Sequence, residues 1–153
     1  MAPGTPLFLK IAPDLTPEAV DEVVDVAMAR GLSGLIATNT TLTRPFEHKH
    51  SKEAGGLSGA PVRELSNAVI RRAYQRSKGA LPLIGVGGVF TAQDVYEKLR
   101  AGATVVQVYT GFIYEGPGMA DRILPELGAL LARDGFASVR DVIGVDAREG
   151  MPA

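Results

Sequence analysis

Four short apolar stretches alternate along the chain with longer segments in which apolar residues recur every three or four positions. The stretches are Leu7 to Ala12, Gly34 to Thr38, Leu83 to Val86 and Thr104 to Tyr109. Three of them are rich in β-branched residues, which is typical of strands buried on both faces of a sheet. Each is followed by a segment of helical periodicity, so the pattern predicts a β-α unit repeated four times.

Start and stop signals mark the predicted helices. Thr16 is placed to cap the first helix, and the spacing of Thr91 and Asp94 resembles a capping box at the start of the third. Pro125 must lie in the first turns of the fourth helix or kink it. We expect helices from Pro17 to about Gly31, from about Val62 to Lys78, from Thr91 to Gly102 and from Met119 to Arg133, with a short terminal element over Val139 to Ile143.

Alternating strands and helices predict a parallel α/β sheet, because parallel neighbours need a long crossover that a helix supplies. Both a doubly wound sheet and a barrel satisfy this order. Polar and glycine-rich residues at the carboxyl ends of the strands favour a (β/α)8 TIM barrel, with a phosphate site after its last two strands. We therefore interpret residues 1–153 as the C-terminal four units of such a barrel, a half barrel with one long loop at 41–60.

Composition limits the function classes. The chain has 153 residues, fewer than the roughly 250 of a complete barrel. With 16 Lys and Arg against 17 Asp and Glu, it offers no electrostatic footprint for nucleic acid. We expect no transmembrane segment and no signal peptide. Cysteine is absent, so any chemistry must come from oxygen, nitrogen, backbone or cofactor groups.

Lys10 lies inside an apolar strand, where an ammonium group is costly without a partner or a polar site. One interpretation is an edge-strand lysine that discourages aggregation. The other places a cation at the mouth of a barrel, where it stabilises negative charge on a ligand. We favour the second, because barrel strands are covered on both faces.

Thr38, Asn39, Thr40 and Thr41 end the second strand with four side chains that form hydrogen bonds. Such a run also occurs in ordinary turns. Its position at the carboxyl end of a strand favours a site for a planar polar ligand.

Two glycine clusters precede predicted helices, Gly55 to Gly59 and Gly85 to Gly88. Glycine lets the backbone approach a ligand closely, and N–H groups at helix starts bind anions. Neither cluster matches the dinucleotide fingerprint or the P-loop. Together with Tyr109 to Gly111, which we place at the end of the last strand, they predict a phosphate pocket between the last two units.

His48 and His50 in the long loop have too few carboxylates nearby for a metal site, which normally needs three or four protein ligands. We predict no metal. Phe112 and Tyr114 are expected to pack beside a turn.

Taken together and in this order, five stretches resemble the C-terminal half of dihydroorotate dehydrogenase, more specifically its class 2, quinone-dependent enzymes. The stretches are PLFLKIAPDLT, GLIATNTT, GGLSGAPVREL, LPLIGVGGV and AGATVVQVYTGFIYEGPG. The resemblance implies a barrel that holds flavin mononucleotide (FMN), oxidises dihydroorotate to orotate in pyrimidine synthesis and passes electrons to a membrane quinone. It also implies peripheral attachment to the bacterial inner (cytoplasmic) membrane or the mitochondrial inner membrane.

The resemblance assigns roles position by position. Lys10 lies near the flavin ring and stabilises the negative charge of its reduced form. Asn39 and Thr40 hydrogen-bond the orotate ring. The remaining cofactor contacts are Thr38 on the flavin, Ser58 and Gly59 on the flavin or its ribityl chain, and Gly87, Gly88, Tyr109 and Thr110 on the phosphate.

In this family the catalytic base is a serine in the first half of the barrel, and the quinone-binding extension also lies upstream. No catalytic base is therefore assigned, since Ser33, Ser51, Ser58 and Ser66 do not occupy that position. We expect the chain to associate with the other half or with itself, to be inactive alone, and to bind flavin weakly or not at all until the barrel is completed.

Two alternatives remain open from the residues alone. One is a half of another phosphate-binding TIM barrel, such as a phosphosugar isomerase or synthase, which shares the glycine-rich turns. The other is a non-catalytic half barrel that assembles with a second copy. Lys10 with the Asn39 and Thr40 pair argues against the first, and the mass in solution with and without FMN separates the second.

Overall fold

The computed structural model describes residues 4–45 and 54–148. The described residues form one sheet of four strands, β1 (Phe8–Ile11), β2 (Gly34–Ala37), β3 (Leu83–Val86) and β4 (Val105–Gln107). The helices are α1 (Pro17–Ala29), α2 (Arg63–Ser77), α3 (Ala92–Ala101), α4 (Thr110–Glu115), α5 (Met119–Arg133), α6 (Val139–Val142) and α7 (Val145–Arg148). A short 3-10 helix, Ala60–Val62, precedes α2.

The strands lie side by side in chain order, β1-β2-β3-β4, and every pair is parallel. A doubly wound sheet has a point at which the strand order reverses, whereas a barrel adds each strand beside the previous one. Crossovers of one hand then bring their helices to the same face of the sheet. The prediction of a parallel α/β sheet of barrel type is confirmed, with four of the eight strands that a closed barrel has.

The two faces of the sheet differ in burial. On the helical face, Leu35, Ala37 and Leu83 are fully buried in a cluster that includes Val24 of α1 and Ile70 of α2. On the opposite face, the register aligns Lys10 with Ile36 and Ile84 with Val105, and Lys10 and Val105 are exposed. The face that would line the inside of a barrel is thus largely uncovered in the described part of the chain.

A second apolar cluster joins α3 to α5, with Tyr96 and Leu99 packed near Ile123 and Leu127. Helices α1 and α2 are linked at their surface by two bidentate ion pairs. These join Arg72 to Asp21 and Arg76 to Asp25, with N–O distances of 2.5–2.8 Å. The first three helices therefore form one layer that supports the sheet from behind.

Local signals at the helix starts are confirmed. The Thr16 hydroxyl accepts a hydrogen bond from the Ala19 N–H at 3.2 Å, and Thr91 and Asp94 form a reciprocal capping box. Pro125 lies inside α5. The α-helix of the second unit begins at Arg63, one residue later than predicted, because Val62 belongs to the preceding 3-10 helix.

The region after β4 differs from the prediction. The strand ends at Gln107 instead of Tyr109, and Thr110 begins α4 instead of ending a strand. In the described sheet β4 pairs only with β3, and this pairing stops where β3 ends, at Val86 opposite Gln107. The segment that follows makes a close backbone contact, since a Cβ atom on Gly111 would lie 2.1 Å from the Val89 carbonyl oxygen. This contact holds the chain against the turn that precedes α3.

Three further details change the predicted surface. Phe112 and Tyr114 lie on α4 and are 49% and 78% exposed. Only the contact of Tyr114 beside a turn is seen among the described residues, with its ring 6.4 Å from that of Phe90 before α3. Helical spacing groups Leu124 with Ile123 and Leu127 on the apolar stripe of α5, but Leu124 is 64% exposed and lines an open groove beside Phe112 of α4. The terminal element consists of the two short helices α6 and α7.

Candidate functional site

The carboxyl ends of the strands open into one pocket of about 220 Å³. All ten residues that the sequence assigned to cofactor or substrate line this pocket. They are Lys10, Thr38, Asn39, Thr40, Ser58, Gly59, Gly87, Gly88, Tyr109 and Thr110. Residues separated by as much as 100 positions therefore come together, because parallel strands end at the same edge of the sheet.

Backbone hydrogen bonds to β1 and β3 hold the segment that follows β2. The Thr38 N–H donates to the Val86 carbonyl at 2.9 Å, and the Asn39 N–H donates to the Ile11 carbonyl at 2.7 Å. The peptide bond between Ala37 and Thr38 is cis. Thr38 is buried, whereas the side chains of Asn39 and Thr40 are exposed in the pocket. The backbone is therefore held while two polar side chains remain free to meet a ligand.

The described ends of the long loop are held together. Thr41 and Leu57 form an antiparallel bridge with two N–H to carbonyl bonds of 2.8 and 3.0 Å. The Thr41 hydroxyl donates to the Asp14 carboxylate, which also accepts the Leu42 N–H at 3.1 Å. This bridge brings Ser58 to the same pocket as Thr40.

Glycine-rich turns form the wall between the last two units. Gly59, Gly87 and Gly88 have φ values of 80°, 120° and 72°, which favour glycine. The N–H groups of Gly87 and Gly88 donate no hydrogen bond to another described residue. The Thr110 hydroxyl donates to the Ser58 hydroxyl at 3.0 Å across the pocket. Free N–H groups and hydroxyls that line one pocket suit an anion.

The position of Lys10 fits both interpretations of its sequence context, an edge-strand lysine and a cation at a polar site. It lies on β1, at one edge of the described sheet, and its side chain is exposed. It also lines the pocket together with Asn39 and Gln107. Its ammonium is the one lysine or arginine charge among the described residues that line this pocket.

An ion pair lies directly behind the glycine wall. The Asp94 carboxylate accepts hydrogen bonds from the N–H groups of Phe90 and Thr91 at 3.0 and 2.9 Å and pairs with the Arg63 guanidinium. Burial alone would raise the pKa of Asp94, but these hydrogen bonds outweigh it and lower the pKa. A charged Asp94 therefore fixes the turn that follows Gly88 to the start of α2.

Sequence reasoning missed some pocket residues. Gln107 lines the pocket, as do the apolar side chains of Val62 and Val89. Gln107 carried a usable signal, because a polar residue in an apolar strand commonly faces a polar site. No sequence signal indicated the ion pair of Asp94 and Arg63, since the two residues are 31 positions apart.

His48 and His50, considered as metal ligands and rejected, lie outside the described residues. In residues 4–45 and 54–148, no group of three or more His, Cys, Asp or Glu side chains is placed to hold a metal ion. Within the same ranges, no helix has the length and apolar character needed to span a membrane.

The family model for dihydroorotate dehydrogenase matches residues 2–131. The dihydroorotate dehydrogenase (quinone) of Myxococcus xanthus strain DK1622 is 78% identical over 149 residues, which are 97% of this chain and 41% of that protein. The protein of the same name from Anaeromyxobacter dehalogenans strain 2CP-C is 55% identical over 151 residues, 97% of this chain and 42% of that protein.

A solved structure shows the same similarity. The DHODH of Eimeria tenella, crystallised in complex with ferulenol, superimposes with a TM-score of 0.88 at 44% sequence identity. The match covers 94% of this chain and 39% of that one. The chain thus spans about two fifths of the length of the relatives it matches.

Proposed function

Because the chain belongs to the dihydroorotate dehydrogenase family, we propose that it supplies the FMN-phosphate cradle and part of the dihydroorotate site of a quinone-dependent enzyme. The observation that carries this proposal is the convergence of all ten sequence-assigned residues on one pocket. The family match favours this function over another phosphate-binding barrel.

The pocket suits the phosphate and flavin of FMN chemically. Gly87 and Gly88 offer backbone N–H groups without partners among the described residues, and Ser58 and Thr110 add hydroxyls. Among the described residues no acidic side chain lines the pocket, so an anion meets no like charge from them there. We assign Thr38, Gly59 and Tyr109 to the same cofactor. When bound, FMN supplies the two-electron chemistry of the reaction.

The substrate end of the pocket lies at Asn39 and Thr40. Their amide and hydroxyl groups match the alternating donors and acceptors of a pyrimidine ring. Lys10 is the nearby positive charge, and it stabilises negative charge that develops on the ring system beside it. These side chains bind and orient; none of them is assigned as the catalytic base.

The rest of the site must come from another part of the enzyme or from another chain. The exposed inner face and the free edges of β1 and β4 fit association with the remaining part of such an enzyme, or with a second copy of this chain. We favour the first, since the relatives are more than twice as long. Quinone reduction and attachment to the bacterial or mitochondrial inner membrane then belong to that remaining part.

A chimeric enzyme tests the proposal. This chain replaces the matching 41% of the Myxococcus xanthus relative, and flavin absorbance and dihydroorotate-dependent reduction of a quinone analogue are measured. We expect a yellow, active chimera and no turnover by the isolated chain, because a base and part of the substrate site are then missing. A folded chimera that holds flavin but does not oxidise dihydroorotate would contradict the proposal.

Asn39→Ala in this chimera is expected to lower kcat/KM for dihydroorotate about tenfold, because one hydrogen-bonding side chain to the ring is lost. Flavin content should not change. Gln93→Ala is the matched control, since Gln93 is an exposed amide on α3 that bonds to Glu97 at 2.9 Å. An equal decrease in kcat/KM in both variants, or loss of flavin in Asn39→Ala, would argue against contact between Asn39 and the substrate.

A further inference from the structure

A buried ammonium lies behind the site and takes no part in the function proposed above. Lys98 on α3 is fully buried, and its Nζ donates to the Ser66 hydroxyl at 3.0 Å and to the Asn67 amide oxygen at 2.9 Å, both on α2. A buried charge is costly unless it is well hydrogen-bonded. Its burial at this position therefore calls for a physical reason.

The Ser66 hydroxyl connects Lys98 to the strands by hydrogen bonds. Its hydroxyl donates to the Val86 carbonyl at 2.8 Å, and the Ala37 carbonyl lies 3.3 Å away. These carbonyls belong to the last residues of β3 and β2. The Val86 carbonyl also accepts the Thr38 N–H at 2.9 Å. One continuous set of hydrogen bonds thus leads from Lys98 to the backbone of a pocket residue.

The fold leaves room for this side chain. A Cβ atom on Gly85 of β3 would lie 3.3 Å from the Lys98 Cδ and 2.9 Å from the Ala103 Cβ. Any larger residue at position 85 would press on the aliphatic part of Lys98. The lysine stem is therefore built into the packing between α3 and β3.

The partners of the ammonium are neutral. Among the described residues no carboxylate lies within 4.0 Å of Lys98 Nζ, although Asp94, Glu64 and Glu97 attract it and Arg63 repels it from farther away. A lysine that served an ion pair would contact one of those carboxylates. Instead both of its hydrogen bonds go to α2, and only the one to Ser66 continues to the strand ends.

We propose that Lys98 is a positioning residue: through Ser66 it fixes the carboxyl ends of β2 and β3, and with them Thr38 and Gly87 of the pocket. The value of this arrangement for ligand binding rests on the proposed function. The effect of Lys98 on the backbone is independent of that function, because the hydrogen bonds are formed without a ligand.

Amide hydrogen exchange in the 153-residue chain tests the proposal. Ser66→Ala is expected to speed exchange of the Thr38 N–H about tenfold, because its acceptor, the Val86 carbonyl, loses the hydrogen bond from Ser66. Lys98→Met is expected to have the same effect, because the Ser66 hydroxyl loses the ammonium that orients it. Asn67→Ala is the matched control: it removes one ammonium hydrogen bond but leaves the route through Ser66, and Thr38 exchange should stay within about twofold. The Ala73 N–H, buried in α2, serves as the reference for global opening.

Equal acceleration in Ser66→Ala and Asn67→Ala, or unchanged exchange in Lys98→Met, would overturn the proposal. If Lys98→Met does not fold, the comparison of Ser66→Ala with Asn67→Ala still tests whether the Thr38 N–H depends on the route through Ser66. In the chimera, FMN titration of Ser66→Ala should show weaker binding by several-fold. Failure of the unsubstituted chimera to take up FMN would refute the proposed function while leaving the exchange result valid.

Discussion

Gly88→Ala is expected to destabilise the protein by about 4 kcal/mol, as measured by urea unfolding. A Cβ atom there would lie 2.4 Å from the Arg63 Cβ, 2.7 Å from its Cα and 2.9 Å from its backbone nitrogen. Such contacts with backbone atoms cannot be relieved by turning a side chain. The left-handed backbone at Gly88, with φ of 72°, adds its own cost for any residue with a Cβ atom.

Gly116→Ala separates the two contributions. Gly116 also has a φ of 72°, but nothing lies within 4 Å of the place where its Cβ would be. This control should cost about 1 kcal/mol, from the backbone conformation alone. Equal losses of unfolding free energy in the two variants would show that Gly88 is not packed tightly against the start of α2. The pocket wall would then not depend on this contact.

The free energy of unfolding is expected to rise by about 2 kcal/mol between pH 7 and pH 9.5 because of Lys98. Burial lowers the pKa of Lys98 to about 8, against the attraction of Asp94 and Glu64. Above pH 8 the folded chain has released this proton, whereas the unfolded chain, with an ordinary lysine pKa near 10.5, still holds it. Stability therefore increases as pH rises through this window, and the penalty for burying the charge is present below it.

Urea unfolding of the wild type and of Lys98→Met at both pH values measures this effect. The methionine variant keeps an apolar stem but has no proton to release, so its stability should lack the rise attributed to Lys98. Tyr96, whose pKa burial and Asp134 raise, ionises in both proteins, and its contribution therefore cancels in the difference. The same rise in both proteins would show that Lys98 does not titrate in this range.

Much of the fold followed from local patterns. The strand cores, the caps at Thr16 and Thr91 and the barrel-type order depend on short-range spacing, which the chain displays directly. The ten pocket residues could also be identified, since they follow strands in sequence or match a known family. Their roles as ligand contacts stay predictions.

The features that could not be predicted depend on long-range contacts. Lys98 lies on an amphipathic helix beside Glu97 and Arg100, where nothing local separates a buried lysine from a solvated one. The exposure of Leu124 and the early end of β4 likewise depend on which other element comes near. Hydrophobic periodicity gives the direction of a side chain relative to its own helix or strand, not the partner it meets.

The sequence by itself determined the alternation of strands and helices and the parallel order, because periodicity and capping act over a few positions. It also identified the pocket residues, partly from strand-end chemistry and partly from the resemblance to a known family. Only the tertiary structure decided that Lys98 reaches the strand ends through Ser66 and that Gly88 lies against Arg63. Those contacts join residues 20 to 32 positions apart, and close packing of the sheet on its helices is what brings them together.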